Sequence, residues 1–444
     1  MRRGILLLTS GALLVMMGGC SLGHHCQSSC ASCPPRVDEM PPPAVLRTAQ
    51  ESSIRDLAAS VLPPQTLDEP FPPEAYRAVA PMMCQCLSAK HAPTADGFDS
   101  KRRQLEEEQA NSSCRQGHKF EKQAKQRAFQ ESMLLYSALE SRDQAAGVAL
   151  EWYFQLAGAE AKADLLNDSL EQGRNSLRRI EELRNLGIPL PAPIEEYQRQ
   201  IVELKLQQGQ NQLTIEQLNT KLRLAMGYDS RHVWRIWPDP GMPLGTPSAT
   251  LVPLVPDVEA AVQLGLHQRP QLLLLRNMIA NLDADTLGSA RVLLQSINPL
   301  LAMSSPGPSC KLLKLLGKIL HIEPGQDDEL ERVRTQLCDL LHERERTVEA
   351  EIREAAHEIG ARRETILRAR QAAESWQERI RDLEKQQAEG LKGALSLASA
   401  YLDWYKARGE VVKEFLGWKI AAVKLKQAQG ILPAECGYAE CHSQ

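Results

Sequence analysis

The side chains with the chemistry to bind metal or form covalent links crowd one short stretch. His24, His25, Cys26, Cys30 and Cys33 lie within ten residues. Thiolates and imidazoles at such spacing suit zinc or copper. No second CxxC or HxxxH pair completes a tetrahedral site, so the expectation is no metal and a cysteine-rich tail open to disulfide formation. Cys84 with Cys86, and Cys436 with Cys441, offer further disulfide candidates, although spacing alone does not assign partners. The sequence contains no GxSxG, HExxH, Walker A or GxGxxG pattern. Glu-Arg runs such as Glu343-Arg344-Glu345-Arg346 read as solvated helix faces, and His342 and His357 as solvent-facing. The expectation is therefore neither catalysis nor a cofactor.

A second group of residues bears on membranes. Arg2 and Arg3 precede an apolar stretch from Ile5 to Met17, and Gly18-Gly19 stand directly before Cys20. That order reads as a secretory signal over 1–19, and the small pair before cysteine resembles the bacterial lipoprotein box. The resemblance implies acylation of Cys20 as an outer-membrane anchor, with Ser21 after it. Cleavage would remove two arginines and no acid, taking the formal net charge from −4 to −6; a nucleic-acid partner is not expected. Further on, Lys311, Lys314 and Lys318 share one face of an amphipathic segment from Cys310 to His321, with leucines opposite. Such a helix suits a membrane surface, and a core position closing the open end of the bundle is the plainer reading.

The elements that must carry these residues are legible in the prolines. Twelve of 27 lie between Pro34 and Pro93, but none lies between Pro93 and Pro189 or between Pro324 and Pro433. A proline in a helix interior costs about 3 kcal/mol, so two such gaps predict very long helices. An aromatic content of 5% points the same way. The expected class is all-α and elongated.

The chain also repeats itself. Gly187 and Gly227 are 40 residues apart, as are Gly390 and Gly430, and both pairs are related by an offset of 203. At that offset Leu177 meets Ile380, Ile180 meets Leu383, Leu213 meets Leu416 and Leu222 meets Leu425. Ile194, Ile201, Gln208, Ile215 and Leu222 keep a seven-residue step, interleaved with Tyr197, Leu204, Asn211, Leu218 and Ala225. In the second copy, Ile352, Ile359, Ile366, Ala373 and Ile380 alternate with Ala355, Arg362, Ala369, Trp376 and Leu383. Such stripes wrap helices around a partner. Gln208, Asn211 and Arg362 either set register, face a water-filled interior, or are tolerated imperfections. The prediction is a duplicated long antiparallel coiled-coil hairpin, with helices over 119–186 and 194–226. A shorter helix from 258 breaks before Pro270, and a new helix runs to about Asn298. The resulting division is a signal peptide (1–19), a lipidated Pro/Cys-rich tether (20–73), a first repeat (74–228), a Pro/Trp connector (229–257), a second repeat (258–430) and a Cys-containing tail (431–444).

Arg269-Pro270-Gln271-Leu272, Asn298-Pro299, and the doubled pattern of Leu186-Gly187-Ile188 to Gly227 and Glu389-Gly390-Leu391 to Gly430 resemble the TolC-like outer-membrane efflux proteins. Gln271 stands where an acid is usual, and residues 74–118 match poorly. The resemblance implies a homotrimeric periplasmic duct that passes small molecules from an inner-membrane pump. A periplasmic adaptor would meet helical tips at Gly187, Ile188, Gly390 and Leu391; a helix C-cap with a local apolar contact is the plainer reading of the same residues. It also implies outer-membrane strands of 9–11 alternating residues, yet Gln109 to His118 and Met303 to Pro324 show no such alternation. No barrel strands are expected. The function expected is a lipoprotein duct component of a multi-part export system, facing the periplasm. The alternative is a barrel-less structural lipoprotein that retains the hairpins without transport.

Overall fold

The structure is a computed structural model that describes residues 76–112, 118–187, 194–228, 234–238, 255–297, 326–388 and 394–438, all within one compact unit. In chain order its elements are β1 (Tyr76–Val79), α1 (Pro81–Lys90), α2 (Pro93–Ser112), α3 (His118–Asn185), α4 (Ile194–Ala225) and β2 (Arg235–Pro238). They continue with α5 (Val258–Gln268), α6 (Pro270–Ala280), α7 (Leu287–Ile297), α8 (Gln326–Ala388), α9 (Ala394–Gln429) and α10 (Leu432–Glu435).

The proline-free gaps become α3 and α8, of 68 and 63 residues, each roughly 100 Å long at 1.5 Å per residue. α4 and α9 return alongside them. Four long helices lie in the order α4, α3, α9, α8, each packed on the next. The seven-residue stripes are the cores of these pairings. Ile194, Tyr197 and Ile201 of α4 bury against Leu170 and Ile180 of α3, with Ala398 and Leu402 of α9 closing the cluster. Ile352, Ala355 and Ile359 of α8 bury against Ala421, Leu425 and Ala428 of α9 and Val262 and Leu272 of the shorter helices. Each fully buried isoleucine of this kind contributes about 1.5–3 kcal/mol.

The three polar stripe residues all bond across helices or along them. Gln208 donates to Asn167 Oδ1 at 2.5 Å, and Asn211 donates to the Ala159 carbonyl at 2.7 Å. Arg362 donates to Glu414 at 2.8 Å and to Glu358 one turn away on its own helix. A buried amide fits only where its partner sits opposite, so Asn211 and Gln208 pin α4 against α3 in one register.

Glycine ends the returning helices identically. Gly227 and Gly430 have φ of 80° and 72°. In both, the glycine N–H donates to the carbonyl three residues back, and the next N–H donates to the carbonyl five back: Gly227 to Leu224 and Tyr228 to Arg223, Gly430 to Gln427 and Ile431 to Lys426. This is the Schellman turn, which needs a left-handed residue.

Four features differ from the sequence reading. The helix beginning at Pro270 stops at Ala280 rather than near Asn298, and α7 follows. The break is a side-chain turn. Asp283 Oδ1 accepts from the N–H groups of Asp285 and Thr286, and the buried Thr286 hydroxyl donates to the Asn281 carbonyl. Asp and Thr offer the backbone this competing arrangement in place of helix bonds. Within the poorly matching residues 74–118, the described part holds a short helix, a break and a second helix in α1 and α2, as in α5 and α6. Part of the expected extended connector is β2, which pairs in parallel with β1 from Tyr76↔Arg235 to Val79↔Pro238. Finally, Leu213 and Leu416 are not equivalent: Leu213 is 61% exposed and Leu416 is 4% exposed. α9 is flanked by α3 and α8, whereas α4 is at the edge of the layer.

Among the described residues, that two-stranded pair is the only sheet. Gln109 to Ser112 finish α2, and α3 begins at His118. Met303 to Pro324 lie outside the described residues.

Candidate functional site

Three places could do work: the tips of the hairpins, the junction where the repeats meet, and a groove along the four-helix layer. At the first tip Gly187 has φ 71° and its N–H donates to the Arg184 carbonyl at 3.0 Å. Among the described residues, a Cβ on Gly187 would meet nothing within 4 Å. Beside it Leu186 is 75% exposed, an apolar knob on an otherwise charged helix end. Ile188, Gly390 and Leu391 lie outside the described residues, as do Cys20, Lys311, Lys314 and Lys318.

The junction is built around Arg269. Asp257 caps the N-terminus of α5 by accepting from Glu259 and Ala260. Arg269 then leaves the helix with φ −60° and ψ 121°, and Pro270 opens α6 at a position where its missing N–H costs nothing. The freed Arg269 side chain donates to the Gln427 carbonyl at 2.8 Å and faces Glu351 at 3.4 Å and Glu140 at 4.0 Å. Gln271 donates to Glu140 Oε1 at 2.6 Å. An acid in that place would set carboxylate against carboxylate, so the departure of Gln271 from the expected motif has a local physical reason. The end of α9 closes tightly over the break: a Cβ on Gly430 would fall 2.7 Å from Pro270 Cδ and 2.9 Å from Arg269 Cα. The first repeat does the same with His91, which follows α1 and lies against Gly227.

One turn along α3 from Glu140, Asp143 is fully buried. Burial, then the nearby Glu140 charge, push its carboxyl up to about 8, against the pull of Arg269 and the Leu432 backbone. Beside it Arg142 pairs with Asp99 of α2 and lies over the Tyr438 ring at 4.3 Å. Sequence reading missed this cluster, because nothing in the local pattern of α3 marks which of its many acids is buried.

The cysteines resolve differently from the neighbouring pairs that spacing offered. Cys86 of α1 is joined to Cys436, 350 residues away, with Cα atoms 5.1 Å apart. Cys84 is a free, buried thiol whose Sγ lies 3.8 Å from the Ala149 carbonyl, and burial pushes it up to about 12. Cys441 lies outside the described residues.

The groove, of about 810 Å³, runs over α3 between α4 and α9. Phe154, Leu166, Leu204 and Leu416 give it an apolar floor, and Lys162 and Lys413 are among its polar lining. Among the described residues no helix is long and apolar enough to cross a membrane, and no group of three or more His, Cys, Asp or Glu residues is arranged to hold a metal ion.

Solved structures share this arrangement of hairpins at low sequence identity. The CmeC outer membrane channel of Campylobacter jejuni is 13% identical and superposes with a TM-score of 0.55 over 81% of this chain and 86% of its own. A membrane protein from Pseudomonas aeruginosa is 14% identical, with a TM-score of 0.54 over 78% and 89%. The outer membrane protein VceC of Vibrio cholerae is 12% identical, with a TM-score of 0.51 over 85% and 96%. The fold is that of the TolC-like outer-membrane channels. No protein-family model and no curated protein matches the sequence. The TolC-like fold accounts for the doubled hairpins, the short-helix breaks and the glycine turns. Its structural neighbours are channels and not enzymes.

Proposed function

We propose that this protein is a periplasmic duct component of a multi-part export system, anchored in the outer membrane through acylated Cys20. Copies stand side by side as a homotrimer, and an adaptor linked to an inner-membrane pump meets the tips at Gly187, Ile188, Gly390 and Leu391. The observation that carries this reading is the open layer of four helices. Its two edges are unlike, α4 on one side and α8 on the other, and a body with unlike edges assembles head to tail until the ring closes. α4 presents Val202, Leu206, Leu213 and Leu224 as exposed apolar side chains, and α8 presents Leu367. Leu213 is 19 residues into α4 and Leu367 is 21 residues before the end of α8, each about 30 Å from its own tip at 1.5 Å per residue. An edge leucine on one copy thus meets an edge leucine of the next at similar height.

The test is the native mass of the acylated protein, with planar-bilayer conductance recorded on the same sample. A trimer is expected, and Leu213→Arg should reduce it to a monomer of unchanged helicity. A wild-type monomer would overturn the reading.

A second reading is favoured by one observation: helix α2 occupies Gln109 to Ser112, the start of the first segment where a strand pair would lie. A structural lipoprotein that keeps the hairpins without transporting anything accounts for that helix. It predicts unchanged drug susceptibility on deletion and no conductance.

A further inference from the structure

The last described residues form a strap. Residues 431–438 leave α9 at Gly430, make the single turn of α10, and cross α1 and α3. Two adjacent apolar residues hold the strap from below: Leu432 is fully buried in the cluster of Val79, Cys84, Leu87, Ala146 and Tyr153, and Pro433 beside it is buried too. From α1, Gln85 Nε2 donates to the Leu432 carbonyl and to Glu435 Oε2, each at 3.0 Å. Lys426 reaches Glu435 at 2.6 Å from α9, and the Arg142 guanidinium of α3 covers Tyr438. The Cys86–Cys436 bond is the one covalent tie among these contacts.

We propose that residues 431–438 are a redox-controlled strap over the junction of the two repeats, fixed while Cys86–Cys436 is oxidised and released locally when a dithiol reduces that bond. The chemistry is ordinary exchange. A thiolate of the dithiol attacks one sulfur of the pair, its second thiol displaces the first as a cyclic disulfide, and two electrons and two protons pass to Cys86 and Cys436 as thiols. Release is local because of how the contacts are distributed. The strap has a single four-residue helical turn and its buried residues are Leu432 and Pro433, and ordering eight residues of chain opposes those few contacts. The hairpins have cores along α3, α4, α8 and α9 to which no strap residue contributes. Cys84 does not intercept the exchange. It is two residues from Cys86 and so on the opposite side of α1, where it is buried. Opening the strap uncovers Asp143 and Arg142 on α3 and frees Cys436 from α1, so the fit between the first and last helices of the described unit depends on the redox state around it.

The test uses the full chain with dithiothreitol as the dithiol, read by iodoacetamide labelling and amide hydrogen exchange. Untreated protein should leave Cys86 and Cys436 unlabelled; after reduction both label. Exchange across 431–438 should then rise by about 100-fold while α3 and α9 change by less than about 2-fold, the pattern of a local opening. Cys436→Ser, without reductant, should reproduce that pattern and so separate this bond from the other cysteines. Labelling of both cysteines in untreated protein would overturn the proposal, as would unchanged strap exchange after reduction. A rise spread through α3 and α9 would also overturn it, by making the bond a global staple.

Discussion

Replacing Gly430 by alanine separates two penalties that the structure keeps apart. Gly430 has φ 72°, and a non-glycine residue held in the left-handed region costs roughly 1–2 kcal/mol. Its added Cβ would stand 2.7 Å from Pro270 Cδ and 2.9 Å from Arg269 Cα. Neither atom is the end of a flexible side chain, so relief requires moving the start of α6 with the junction it carries. Overpacking of that kind costs about 1–3 kcal/mol. Alanine also restricts the unfolded chain, returning about 0.4–1 kcal/mol. The net expectation is a loss of about 2–4 kcal/mol for Gly430→Ala. Gly187 supplies the control. Its φ is 71° but among the described residues its Cβ would meet nothing within 4 Å, so Gly187→Ala should cost about 1 kcal/mol by the same strain and chain terms. The assay is urea denaturation of both full-length variants beside the parent, with amide exchange at α6 to locate the damage. Equal losses for the two variants would refute the close approach of α9 to the Arg269 break.

Three further perturbations probe the junction and the helix pairing. Asp143 has its folded pKa raised to about 8, so the native state holds a proton that the unfolded state gives up in the ordinary carboxylate range. Its contribution is intact in acid and declines as pH rises from that range toward about 8, at up to roughly 1.4 kcal/mol per pH unit. Asp143→Asn should flatten the fall in the urea midpoint over this window; an unchanged pH profile would show that Asp143 is ionised throughout. Gln271→Glu replaces a donor to Glu140 by a like charge and should cost about 1–3 kcal/mol, measured as a lowered denaturation midpoint. Leu156 of α3 is fully buried, so Leu156→Ala should lose about 2–5 kcal/mol with helicity by circular dichroism preserved at low temperature. A loss below about 1 kcal/mol would place that face of α3 outside the core.

Local chemistry wrote much of this molecule into the sequence. Helix length follows from where proline is absent, because a single residue type breaks the backbone ladder whatever surrounds it. The turns at Gly187, Gly227 and Gly430 follow equally, since the left-handed conformation they adopt penalises every side chain. The α3-facing stripe of α4 and the α9-facing stripe of α8 were legible from period alone. Long-range geometry settled the rest. Leu213 and Leu416 occupy equivalent positions in the duplicated sequence, yet one is exposed and the other is buried, because α9 has a long helix on both sides and α4 has one on a single side. The turn at Asn281 to Thr286 escaped the helical pattern because a side-chain hydrogen bond competes there with helix propagation. Cys86 found Cys436 and not a neighbour because α1 and α10, the last described turn, converge on α3. Asp143 carries its proton for the same reason: burial is a property of what packs on a residue, and no stretch of α3 encodes that by itself.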